Sequence, residues 1–166
     1  MNSLRHYITE KFQVSKDNIR PYNYYPKDKD ELIECIKNKI KKEGLGTKNK
    51  PLDFNDIDIS KVTDISHLFD LFDGELKKLS NIGYFDISDW DVSNVTNMEY
   101  VFYGSDFNGD ISYWDVSNVT NMKYMFCGSD FNGDISKWDV NNVEDMNYIF
   151  VRCPLEKNPP KWYYKE

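Results

Sequence analysis

Alanine is absent from this chain of 166 residues, and cysteine and histidine are scarce, at three and two. The missing alanine accompanies an abundance of Asn, Asp, Lys, Tyr and Ile. An AT-rich coding sequence produces such a bias by itself, so no function is read from it. Cys35, Cys127 and Cys153 are too few, and odd in number, for a disulfide framework. No two have Cys-x-x-Cys or zinc-ligand spacing, so free thiols in a reducing compartment are expected. The histidines, His6 and His67, build no Ser-His-Asp arrangement, and neither a phosphate-cradling glycine loop nor a zinc motif is present. No catalytic residue, metal or cofactor is therefore expected. Long apolar runs are missing too: nothing approaches the roughly eighteen residues of a membrane-spanning helix. The start, MNSLRHYITEKF, holds no apolar stretch of secretory type. These absences point to a cytoplasmic protein, or to a secreted or cell-surface one if the native start lies further upstream.

What is present suits a single folded domain. Apolar residues make up 40% and aromatics 16%, enough for a core without disulfides. The net charge of −7 is unevenly spread. Residues 1–52 carry twelve Lys/Arg against seven Asp/Glu, a net +5, whereas residues 53–150 carry five against nineteen, a net −14. Residues 151–166 return +2. Phosphates would be repelled by the acidic body, so direct nucleic-acid binding there is not expected; a partner protein with a basic surface suits it better.

The strongest feature is a repeat. Residues 90–113 read WDVSNVTNMEYVFYGSDFNGDISY and residues 114–137 read WDVSNVTNMKYMFCGSDFNGDISK, with a third copy opening at Trp138. Trp90, Trp114, Trp138 and Trp162 are spaced by 24 residues, as are Met98, Met122 and Met146, and Phe102, Phe126 and Phe150. Ile57 to Phe69 aligns with Trp90 to Phe102, that first copy being nine residues longer through the stretch 70–85. A period of 24 falls in the range of leucine-rich repeats. Trp114 and Val116 alternate as in a strand with Asp115 facing outward, and Val119, Met122 and Phe126 recur at helical spacing. The expected fold is an α/β solenoid: a leucine-rich-repeat-like stack of about four strand–short helix coils, some 4.8 Å apart, with an N-terminal helical cap. Two parts follow, a helical capping region over 1–52 and a solenoid with its C-terminal cap over 53–166.

The phrase WDVSNVTNM…FNGDIS, over roughly residues 24–162, resembles the BspA-type leucine-rich repeats of mycoplasma lipoproteins and other bacterial surface proteins. That resemblance implies a right-handed solenoid used for attachment or protein interaction, with no catalytic residues to carry over.

For the cap, Asp28 to Lys42 predicts a helix: Asp28 as N-cap, Glu31 three residues on, an apolar stripe of Leu32, Ile33, Ile36 and Ile40, and Gly44 beyond. Leu4, Ile8 and Phe12 suggest another short helix, GLGTKNKP (44–51) a flexible loop, and Trp162-Tyr163-Tyr164 a cover for the last coil.

Candidate protein-binding residues come in four sets, beside one column weighed for a metal. Asp58, Asp91, Asp115 and Asp139 form a column that either presents an acidic stripe to a basic partner or, as favoured, accepts backbone N–H groups from the turn that follows. A second column, Asp86, Asp110 and Asp134, tempts a calcium reading, but the Gly-Gly-x-Gly-x-Asp pattern of calcium β-rolls is missing. Tyr100, Tyr124 and Tyr148, with His67 in the first copy, form a stripe for which packing is the default reading and a protein-binding surface the alternative. Specific recognition is sought where copies differ: Asp89, Tyr113 and Lys137 at one position, Glu99, Lys123 and Asn147 at another. Phe72, with Leu71, Leu76 and Leu79, lies in the extension, a binding loop or a packed helical embellishment. The expected function is a monomeric, non-enzymatic module that binds a partner protein, without direct nucleic-acid or membrane contact. The alternatives are an intracellular inhibitor of a nucleic-acid-handling enzyme, of anti-CRISPR or anti-defence type, and a bacterial surface adhesin.

Overall fold

The computed structural model describes residues 22–72, 74, 76–77 and 83–164. The helix expected from Leu4, Ile8 and Phe12 lies outside these residues, as do His6 and Leu79. Helix α1 (Lys29–Glu43) forms where its signals place it. The Asp28 side chain accepts the Glu31 N–H at 2.9 Å, and the Gly44 N–H closes the far end on the Ile40 carbonyl. Its inner face buries Leu32, Ile33 and Ile36, and also Lys39, whose ammonium lies 2.7 Å from the buried Asp56 carboxylate. Asn23 donates to the same carboxylate at 2.8 Å. The segment 44–51 closes on itself, Thr47 and Lys50 exchanging backbone hydrogen bonds of 2.9 and 3.0 Å.

Beyond α1 the expectation fails. The regular elements described are strands β1 (Leu52–Asp53) and β2 (Phe85–Asp86), paired in parallel with Leu52 opposite Phe85, and 3-10 turns at Pro154–Glu156 and Lys161–Tyr164. From residue 87 to 153 there is neither helix nor strand beyond isolated bridges. This overturns the α/β solenoid, the leucine-rich-repeat-like stack of about four strand–short helix coils with an N-terminal helical cap.

The physical reason lies in where the polar groups bond. At the presumed strand, Ser117 N–H turns onto the Asp115 carboxylate, while Trp114 and Val119 N–H groups bond three residues back to Ile111 and Val116. A strand needs those donors for a neighbour. At the presumed helix, Asn121 captures the Lys123 N–H, and Met122, Tyr124 and Phe126 donate to Asp145, Asn147 and Ile149 in the following copy. Tyr124 itself sits at φ 55°, a left-handed conformation that ends any right-handed helix. The apolar spacing was right about burial, since Val119, Met122 and Phe126 are fully buried, but wrong about the element.

Adjacent copies are joined side by side. Bridges run in parallel from Asp64 to Asn97, Asn97 to Asn121 and Asn121 to Asp145. Each tryptophan indole donates to a carbonyl of the preceding copy: Trp90 to Phe54, Trp114 to Ile87, Trp138 to Ile111 and Trp162 to Ile135, at 2.8–3.2 Å. Asn94, Asn118 and Asn142 side chains likewise donate to Ser60, Ser93 and Ser117 carbonyls. Inside, Phe69, Phe102, Phe126 and Phe150 stack in sequence with centroids 5.6–6.1 Å apart. Apolar side chains from α1 to Trp162 share this one core.

Candidate functional site

Three kinds of turn position recur from copy to copy, and each is an Asp or Asn whose side chain accepts the N–H two residues on. Asp58, Asp91, Asp115 and Asp139 take the N–H of Ser60, Ser93, Ser117 and Asn141 at 3.0–3.2 Å. Asp86, Asp110 and Asp134 do the same for Ser88, Ser112 and Ser136. Asp64, Asn97, Asn121 and Asp145 complete the set. Such side chains mimic a backbone turn. The geometry therefore gives the first Asp column the structural role favoured for it. Hydrogen bonds from Ser136 hold the Asp134 carboxyl below the ordinary carboxylate range. Among the described residues no group of three or more His, Cys, Asp or Glu could hold a metal ion, and no helix is long and apolar enough to cross a membrane.

The tyrosine stripe is different. His67 stacks on Tyr100 with centroids 4.7 Å apart, Tyr100 on Tyr124 at 4.8 Å and Tyr124 on Tyr148 at 4.8 Å. Tyr103 stands edge-on to Tyr100 at 5.1 Å and to Tyr124 at 6.2 Å, and Phe72 leans on Tyr103 at 5.4 Å. Six aromatic rings thus form one continuous surface strip, with Phe72 69% and Tyr148 55% exposed. A Cβ on Gly104 would come within 2.7 Å of the Phe72 ring, so the bare glycine is what lets Phe72 settle there.

All four stripe residues, His67, Tyr100, Tyr124 and Tyr148, have φ between 55° and 60°. That conformation costs a residue with a Cβ about 1–2 kcal/mol, and Gly or Asn would adopt it more cheaply. The ring is therefore kept against a backbone cost. Charged groups border the strip: the Lys123 ammonium lies 5.8 Å from the Tyr124 ring centre, and Asp70 pairs with His67 at 2.9 Å. Burial pushes the Tyr100 hydroxyl pKa up, with Tyr124 and Glu99 adding to it.

The structure thus brings together Phe72, Tyr100, Tyr124 and Tyr148 from the expected candidates, and leaves the others outside. Tyr113 and Lys137 are exposed at the varying position, where Asp89 is half-buried and donates its N–H to Asn55. Tyr103 was missed. Its counterparts in the next copies are Cys127 and Val151, so the rule of looking where copies differ would have found it. Lys39 and Asp56 were also missed, since a lysine inside an amphipathic pattern reads as solvent-facing.

The family described as Mycoplasma protein of unknown function, DUF285, matches residues 72–165, more than half of the chain. The chain belongs to this family. No curated protein and no solved structure matches it. The match of this mycoplasma family covers the strip from Phe72 through Tyr148, leaving His67 just ahead of it.

Proposed function

We propose that this DUF285 protein is a non-enzymatic binding module that holds a partner protein on the aromatic strip, with the acidic body steering a basic surface towards it. The observation that carries this reading is the left-handed backbone maintained under a ring at all four stripe positions. Tyr is favoured at protein contacts because it offers large, rigid area with a polar tip. Phe72 and Tyr148 supply the exposed anchors, while Tyr100, Tyr103 and Tyr124 brace them from the side. The resemblance of WDVSNVTNM…FNGDIS to BspA-type repeats of bacterial surface proteins supports an attachment role.

The test is capture from a mycoplasma lysate and, separately, from animal-cell lysate, with the wild-type chain and a Phe72→Ser/Tyr148→Asn variant. A protein retained by the wild type and lost by a folded variant is expected, with retention weakening as salt rises. Equal retention by both chains would remove the strip from the binding surface.

A further inference from the structure

Two Asn-Gly dipeptides, Asn108-Gly109 and Asn132-Gly133, stand in the same eight-residue context, SDFNGDIS. Glycine is required at both places: a Cβ on Gly109 or Gly133 would meet the ring of Phe107 or Phe131 at 2.7 Å. Packing therefore fixes a glycine after each asparagine, and Asn-Gly is the dipeptide most open to attack by its own backbone, because glycine puts no side chain between its nitrogen and the preceding amide. The two copies differ at the asparagine side chain. Asn108 Oδ1 accepts the Asn132 N–H at 2.9 Å, which ties its side chain to the next copy. In the next copy, the Glu156 N–H that would hold Asn132 in turn donates instead to Cys153, within its own 3-10 turn. Asn132 is exposed at the lip of an open groove of about 620 Å³ shared with Pro159 and Pro160.

We infer that Asn132 is a spontaneous modification site, converted with water to an aspartyl or isoaspartyl residue, while Asn108 is protected by its neighbour. The Gly133 nitrogen attacks Asn132 Cγ, a C–N bond forms, the Cγ–Nδ2 bond breaks, and the displaced amide leaves as ammonia with the Gly133 proton. Water then opens the succinimide at either carbonyl. No oxidant, reductant or enzyme is needed. The product places one more negative charge at the groove, between Asp130 and Asp134.

Incubating the full chain at pH 8 and 37 °C and mapping peptides by mass spectrometry tests this, because Lys123 and Lys137 separate the two sites. In the native protein, position 132 should gain the roughly 1 Da increase on the order of ten times faster than position 108, the ratio that one lost hydrogen bond supplies. In guanidinium the two rates should converge, since the local sequences are identical. Asn132→Gln should leave only the slow native reaction. Equal native rates, a faster position 108, or no conversion at 132 over weeks would each overturn the inference.

Discussion

Helix α1 and the repeated segments solve the same problem, satisfying backbone groups over a shared core, in opposite ways. In α1 each N–H looks four residues back, the ends are closed by Asp28 and Gly44, and the one buried charge, Lys39, is matched by Asp56. In the repeats, donors look either two or three residues along a turn or across to a neighbouring copy, about 24 residues away on either side. The helix is thus specified locally, whereas a repeat completes its hydrogen bonds and its ring contacts only when its neighbours are in place. Cutting one copy out of register should therefore cost far more than fraying a turn of α1.

The sharpest way to break this comparison is to remove a ring from the inner column. Phe102 is fully buried and touches Phe69, Phe107, Trp114 and Phe126. Phe102→Ala should cost about 3–5 kcal/mol, read as the shift in a urea unfolding curve followed by tryptophan fluorescence. If α1 and the repeats share one core energetically as well as geometrically, the helical circular dichroism should be lost in the same transition. Two separate transitions would show that the helix stands alone.

Next in size is the ion pair beneath α1. Asp56→Asn leaves the Lys39 ammonium with the Glu43 carboxylate, 3.4 Å away, as its remaining charged partner and should cost about 2 kcal/mol, whereas Lys39→Met with Asp56→Leu should be close to neutral. The pH dependence has a definite sign. Burial pushes the Asp56 carboxyl upward, but hydrogen bonds from Asn23 and Lys39 outweigh it, so its folded pKa lies below the ordinary value. Its contribution is present above about pH 4 and is lost as pH falls through the folded value. Burial works downward on Lys39, and the contacts with Asp56 and Glu43 together outweigh it, so its folded pKa is raised. That contribution is complete below about pH 10 and disappears only above it. Urea midpoints between pH 2 and 5 should fall less steeply in the double variant than in the wild type; parallel curves would refute the assignment.

The Asx turns of the repeats come third. Asp91 accepts both the N–H and the hydroxyl of Ser93, at 3.1 and 2.7 Å. Asp91→Ala should cost about 1 kcal/mol, while Asp91→Asn, which keeps an acceptor, should cost a few tenths. Equal losses would mean that charge, not the turn, is what position 91 supplies.

How much of this was legible follows from the same contrast. Asp28, the stripe Leu32–Ile33–Ile36 and Gly44 announce α1 because every cause lies within fifteen residues of its effect. The copies were legible as copies, and their apolar columns as core, from Trp, Met and Phe recurring every 24 residues. The secondary structure inside a copy was not. Val119, Met122 and Phe126 have helical spacing, yet the choice between a helix and a turn depended on whether Asn121 would take a nearby N–H and whether Asp145 would offer its carbonyl from the next copy. Periodicity reports which side chains face inward, and it is silent about the destination of a hydrogen bond. The strip was half legible for a similar reason: Tyr100, Tyr124 and Tyr148 share a register, while Tyr103 and Phe72 reach it from other positions.

The smallest expected effect is the one that separates a fold role from a binding role for the strip. Tyr148 stacks on Tyr124 at 4.8 Å, is 55% exposed and has φ 60°. Tyr148→Asn gives up one ring contact, about 0.5–1.5 kcal/mol, and relieves about 1–2 kcal/mol of left-handed strain. The two nearly cancel, so the urea midpoint should move by an amount equivalent to about 0.5 kcal/mol or less, in either direction. Partner capture should nonetheless fall by about tenfold or more, as when a contact anchor is lost. A variant that unfolds well below the wild type would make the tyrosine column a device for joining copies, and the strain at four positions would then be explained by the fold alone. An unchanged midpoint with lost capture leaves binding as the reason a ring occupies a backbone position better suited to asparagine.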